Sequence, residues 1–153
     1  MNNIIITGFF SLGSSIIGAG IALFAQNLIL RKQIKHEEEK ENKARKNEYM
    51  AVCNQILMVD GENLIVTDSR NGYWNFDVSV YKKSVRPIIY SKFHLFDAEL
   101  KEFILDIDMR IATADHDENW NSNVENQIAE IYLRFIQIIK NEQFIYEFVK
   151  DTQ

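Results

Sequence analysis

Three regimes of hydrophobic patterning follow one another along the chain. From Ile4 to Leu30 it is apolar with almost no interruption, from Arg31 to Glu48 it is polar on every side, and from Tyr49 onward apolar positions recur at helical spacing. Residues 1–30 contain no Asp, Glu, Lys or Arg, and within the run only Gln26 and Asn27 are strongly polar. A helix needs about 20 such residues to cross a hydrocarbon core of roughly 30 Å. A lone span must also satisfy its own backbone groups, which makes it helical. Residues 1–30 therefore predict a transmembrane anchor. A cleaved signal peptide would carry a basic leader and a shorter apolar stretch, and neither is present.

The polar segment reads "RKQIKHEEEKENKARKNE", with only Ile34 and Ala44 apolar. Continuing a helix avoids a new nucleation step, and Glu39 with Lys43 and Glu41 with Arg45 are favourable i,i+4 pairs. Residues 31–48 are expected to form a charged helical stalk. Beyond it, Tyr49, Val52, Cys53, Ile56 and Val59 mark one face of a helix, with Asp60-Gly61 as its stop and Gly61 as a left-handed cap.

Between Leu64 and Ser91 two periods compete. Trp74, Phe76, Val78 and Val80 alternate like a strand, and Asn71-Gly72 is a hairpin-turn signal. Trp74, Val78, Tyr81, Val85 and Ile88 fit a helical face equally well. The segment "LIVTDS" does not alternate and two strands alone are marginal, so a helix is preferred, with a β-hairpin at 64–81 as the alternative. Pro87 biases Arg86 away from the helical region and predicts a break or kink there. Asp97 then caps a helix with Leu100, Phe103, Ile104, Ile107, Ile111 and Ala114 on one face. Ser122 and Glu125 form a capping box ahead of Val124, Ile128, Ile131, Phe135, Ile138, Ile145 and Val149, at near-heptad, coiled-coil-like spacing. Tyr132, Ile139 and Phe148 widen that stripe beyond a two-stranded seam, which suits a helix in a bundle. The fold class expected is all-α: an anchor at 1–30, a stalk at 31–48 and a helical domain at 49–153.

Charge orients the anchor. No basic residue precedes it, whereas residues 31–46 hold 7 basic and 4 acidic groups. The positive-inside bias puts the N-terminus outside and the helical domain in the cytoplasm, a single pass through the inner membrane. Arg31, Lys32 and Lys35 form a basic collar suited to an anionic leaflet, each contributing about 1 kcal/mol there. Residues 47–153 carry 10 basic and 18 acidic groups, which argues against nucleic acid as a partner. One cysteine, Cys53, cannot make a disulfide framework.

The most specific motif lies inside the anchor. Ser14, Gly18 and Ala22 are four apart, Ser11, Ser15 and Ala19 form a second row, and Gln26 extends the face. In lipid no hydrophobic force draws helices together, so small residues that let backbones approach are what favours association. Elsewhere chemistry is sparse. In "DHDENWNSNVEN" Asp115, Asp117, Asn119 and Asn121 alternate as in a calcium loop. However, Trp120 stands where Gly is needed and Asn126 where a bidentate Glu should close the site. His116 adds little, and a polar connector is the simpler account. Cys53 falls on an apolar stripe, where free cysteine behaves as a small hydrophobe, and nothing local supplies the electropositive site that a nucleophile paired with His36, His94 or His116 would need. No phosphate loop, dinucleotide fingerprint or hydrolase motif occurs. Tyr73, Trp74, Phe76 and Tyr81 are expected in the core, and Lys82, Lys83, Arg86 and Lys92 on a solvated face.

These features predict a non-enzymatic, cofactor-free interaction or regulatory module. Its partners are the lipid bilayer and either further copies of itself or another membrane protein, met through the small-residue face. A membrane-active effector, whose spans oligomerise along Ser11, Ser15, Gly18, Ala22 and Gln26 to permeabilise the bilayer, is the alternative.

Overall fold

The apolar face at residues 49–59 is buried in its own domain. The computed structural model describes the backbone of residues 2–68 and 72–150 and the side chains of residues 26–68 and 72–146. In it these residues form the last turns of helix α1 (Asn2–Glu62). The chain divides into two compact units, residues 1–44 and 45–153. In the first, every described side chain from Gln26 to Ala44 is exposed. Glu39 turns to Lys35, 3.9 Å away, instead of Lys43; both groups lie in water, where such a pair contributes little. Among the described residues no helix is long and apolar enough to cross a membrane. Most of the expected span falls on residues 1–25, whose side chains lie outside the described residues, so the anchor at 1–30 is carried by the sequence alone.

Among the described residues the second unit is helical apart from one hairpin and the connecting loops. Its portion of α1 buries Val52, Cys53 and Ile56, with Tyr49 and Val59 packed at the margin. Gly61 does not supply a left-handed cap: α1 runs through it to Glu62, and Asn63 closes the end by donating from its backbone N–H and its Nδ2 to Val59 O at 3.1 and 2.9 Å. Gly72, with φ 77°, is where the chain uses the freedom of glycine.

The preferred helix over 64–80 is not what forms. Strands β1 (Val66–Asp68) and β2 (Trp74–Phe76) pair antiparallel, Val66 opposite Phe76 and Asp68 opposite Trp74. Two short strands persist because tertiary contacts replace a third strand. Phe76 inserts into the core, and the outward N–H of Trp74 is taken by Asn126 Oδ1 at 2.9 Å. Helical structure resumes after Asp77, whose carboxylate accepts from Val80 N–H at 2.9 Å.

From Val78 the chain runs through α2 (Val78–Val80), a π turn (Tyr81–Val85) and α3 (Arg86–Ser91). Pro87 therefore does not break the helix, and Arg86 is helical at φ −55°, ψ −44°. The widened turn, in which Arg86 N–H reaches Tyr81 O, is the local distortion that accommodates the proline ring against the preceding turn. A 3₁₀ turn (Phe93–Leu95) leads to α4 (Ala98–His116), capped as expected by Asp97, which accepts from Leu100 N–H at 2.8 Å. Leu100, Ile104, Ile107, Ile111 and Ala114 are buried along it.

Helix α5 (Ser122–Lys150) packs against α4 and β2. Its cap is Asn121 and not Ser122: Asn121 Oδ1 accepts from the N–H groups of Asn123 and Val124, both at 3.1 Å. Both residue types cap well, and here the loop bond from Asn121 Nδ2 to Asn119 Oδ1 aims the Asn121 amide at the helix. Ile128, Ala129, Tyr132, Phe135, Ile136 and Ile139 of α5 complete the core. A chain of rings crosses it from the hairpin to α1: Phe76, Tyr132, Phe135, Phe96 and Tyr49, with successive centroids 5.5, 6.2, 6.4 and 5.7 Å apart.

Candidate functional site

The small-residue face and the collar fall on α1. Ser11, Ser14, Ser15, Gly18, Ala19 and Ala22 lie where the backbone is helical, and their side chains are outside the described residues. Gln26, Arg31, Lys32 and Lys35 are exposed. On a helical backbone, positions four apart are neighbours on one face, so Ser14, Gly18 and Ala22 form one row, inclined by roughly 26° to the axis.

In the second unit the expected basic patch is divided among separate partners. Lys82 Nζ lies 2.6 Å from Asp115, Arg86 Nε 3.0 Å from Asp108, and Lys92 pairs with Glu48. The bond from Lys92 holds the Glu48 carboxyl below its usual range, and the bond from Lys82 does the same for Asp115. Asp108 is the hub that periodicity did not reveal. It accepts from Tyr81 OH at 3.2 Å, from Arg86 Nε and from Tyr90 OH at 2.6 Å, while the Arg86 guanidinium lies 4.8 Å from the Tyr90 ring centre. Its position on α4, one residue after Ile107, is the only sequence signal for it: a carboxylate at the margin of an apolar face.

Three tyrosines carry their rings into the core and their hydroxyls to carboxylates. Tyr81 donates to Asp108, Tyr132 to Asp60 at 3.1 Å, and Tyr49 to Glu142. No buried side-chain nitrogen or oxygen among the described residues lacks a partner. Burial raises all three tyrosines above the ordinary value of 10.0, and the adjoining carboxylate adds to the effect in each. The folded values exceed the unfolded ones, so the unfolded ensemble loses its protons first. The stability these groups contribute is complete below the ordinary value and is lost as pH rises past it. The urea midpoint of the domain is expected to fall between about pH 8 and about pH 11; an unchanged midpoint would contradict the burial of these hydroxyls.

The aromatic cluster divides. Phe76 and Tyr81 enter the core, while Tyr73 and Trp74 are exposed. Cys53 is fully buried, and burial pushes its thiol up to about 11, so at neutral pH it is a protonated core side chain. In the loop after α4, Asp115 accepts from Lys82 and from Trp120 Nε1 at 3.1 Å, and His116 faces Asp117 at 2.8 Å. No group of three His, Cys, Asp or Glu able to hold a metal occurs among the described residues. An open concavity of about 750 Å³ lies over the hairpin, lined by Thr67, Asn75, Lys82, Asp115 and Trp120 among others. Two of its charged residues, Lys82 and Asp115, are engaged with one another.

The arrangement has the chemistry of a domain held together by tyrosine–carboxylate contacts. Comparison with family models, with curated proteins and with solved structures finds no match to this chain.

Proposed function

We propose that this protein is a membrane-anchored interaction module that acts by association and not by catalysis. Residues 1–30 tether it, and the rows Ser14–Gly18–Ala22 and Ser11–Ser15–Ala19 bring a second copy or another membrane protein's helix into close contact. The observation that carries this reading is the spacing of small residues inside a charge-free run on one helical backbone. Close backbone approach is the main source of helix association in lipid, and a large side chain at the closest point removes it.

Gly18→Leu tests this directly. The wild-type chain in mild detergent is expected to run as an oligomer or a complex, and Gly18→Leu as a smaller species, by light scattering with mass determination. An unchanged mass removes the small-residue face as the cause of association.

A further inference from the structure

The outer face of the hairpin carries polar side chains that the domain does not itself engage. Successive residues of a strand point to opposite faces, and Phe76 takes the inner one. Its neighbour Asn75 and the cross-strand partner Thr67 therefore stand side by side on the other face. Both line the open concavity of about 750 Å³, a size within the usual range of ligand sites. Ser79 from α2 and Glu125 from the first turn of α5 line it as well. None of these side chains makes a hydrogen bond or ion pair with another described residue.

Trp120 supplies an apolar wall. Its Nε1–H donates to Asp115 Oδ1 at 3.1 Å, while Lys82 Nζ holds the other oxygen of that carboxylate at 2.6 Å. The indole is thus fixed by its edge, and it remains 36% exposed. The loop that carries it is closed by a bond from Asn119 N–H to Ala114 O at 3.1 Å, with Glu118 in the left-handed region at φ 49°. A ligand there would meet a wall that is already in place, which lowers the ordering cost of binding.

The mixture of donors and acceptors selects the ligand. The Thr67 and Ser79 hydroxyls and the Asn75 amide both donate and accept, and Glu125 accepts. An anion would use only the donors. It would also face Asp77 and Glu125, with Lys82 already paired to Asp115. A simple organic cation would leave the donors unmatched, and Asp77 already accepts from Val80 N–H. A ring bearing several hydroxyls matches both sets, because each hydroxyl donates and accepts. The C–H face of such a ring is flat enough for broad dispersion contact with an indole. We propose that this concavity binds the pyranose ring of a saccharide, stacked on Trp120 and hydrogen-bonded by Thr67, Asn75, Ser79 and Glu125. The site is built entirely from the folded domain, so it is independent of the membrane association.

The test uses the full chain in a detergent without a sugar head group. The chain has 2 tryptophans, so Trp74→Phe leaves Trp120 as the only indole. The probes are the methyl glycosides of glucose, galactose, mannose and N-acetylglucosamine, with choline and inorganic phosphate as the competing chemistries. At least one glycoside is expected to change the Trp120 emission saturably. Its Kd should be on the order of 1 mM, which an ordinary binding energy per atom gives a ligand of this size. Thr67→Ala and Asn75→Ala, both at exposed positions, are each expected to weaken binding about 3- to 10-fold, the loss of one net hydrogen bond. In Trp120→Phe, with Trp74 as the only indole, the emission should not respond. Phosphatidylcholine vesicles carrying a monohexosyl diacylglycerol separate two sources of the ring. Competition with the glycoside assigns a glycolipid head group, its absence a soluble saccharide, and both support the site. Saturation by choline or phosphate with no response to any glycoside overturns the proposal, as does a complete lack of response. Glycoside binding unaltered by both Thr67→Ala and Asn75→Ala also overturns it, because the ring then lies elsewhere.

Discussion

Phe135→Ala is expected to lower the unfolding free energy by about 3–5 kcal/mol, the usual cost of deleting a fully enclosed aromatic ring. Phe135 has no exposed surface and stands between Tyr132 and Phe96, at 6.2 and 6.4 Å between ring centroids. Removing it breaks the ring series in the middle, and helices on several sides would have to move to refill the space. Natural domains have only about 5–15 kcal/mol to lose, so much of the variant should be unfolded in mild urea. Leu133→Ala, two residues away on the exposed side, is the control, with a change expected below about 1 kcal/mol. Urea titration followed by far-ultraviolet circular dichroism measures both. Equal, small effects would mean that α5 does not present this face to the core.

The second large effect is expected at Asp108. Asp108→Ala takes away the acceptor of a buried tyrosine hydroxyl, and an orphaned buried donor costs about 1–3 kcal/mol. Tyr81 is that donor: its ring is fully buried and its OH has no other partner among the described residues. The ion pair with Arg86 adds little, because about half of the arginine side chain is in water. These assignments can be separated by a cycle. Tyr81→Phe removes the hydroxyl, so Asp108→Ala placed on that background should cost clearly less than on the wild type. Contacting residues commonly couple by about 0.5–3 kcal/mol. Purely additive effects would place the role of Asp108 in Arg86 and Tyr90 instead. Asp108→Asn keeps an acceptor and is expected to fall between wild type and Asp108→Ala.

The difference between these positions and the rest of the chain shows what sequence can report. The face of α4 was readable because Leu100, Ile104, Ile107 and Ile111 repeat at the helical period, and a helix cannot bury them without facing its core in one way. The face of α5 was readable as far as Ile139 for the same reason. At Ile145 the period continues but burial does not, and periodicity has no means of saying what lies opposite. The cap of α4 was legible because Asp97 has no competitor beside it, whereas Asn121 and Ser122 are both good caps and only the loop geometry selects between them.

The hairpin is the clearest case of tertiary structure overriding a local reading. The run from Trp74 alternates like a strand but the segment at 64–69 does not, and in isolation a two-stranded pair is marginal. It is held from outside, by Asn126, 52 residues away on α5, and by the burial of Phe76 among Tyr81 and Tyr132. Likewise no local rule links Tyr49 with Glu142, 93 residues apart, or Tyr132 with Asp60, 72 residues apart.

By itself, then, the sequence determined the helical faces, the charge-free run with its rows of small residues, and the basic flank after it, because these are matters of period and composition within a few turns. Only the tertiary structure decided the hairpin, the carboxylate that each buried tyrosine engages, and the exposure of Phe144 and Ile145 on α5. The physical reason is range. A helix or a charge run is set by neighbours along the chain, whereas hydrogen-bond satisfaction and coverage of apolar surface depend on residues brought together from distant segments.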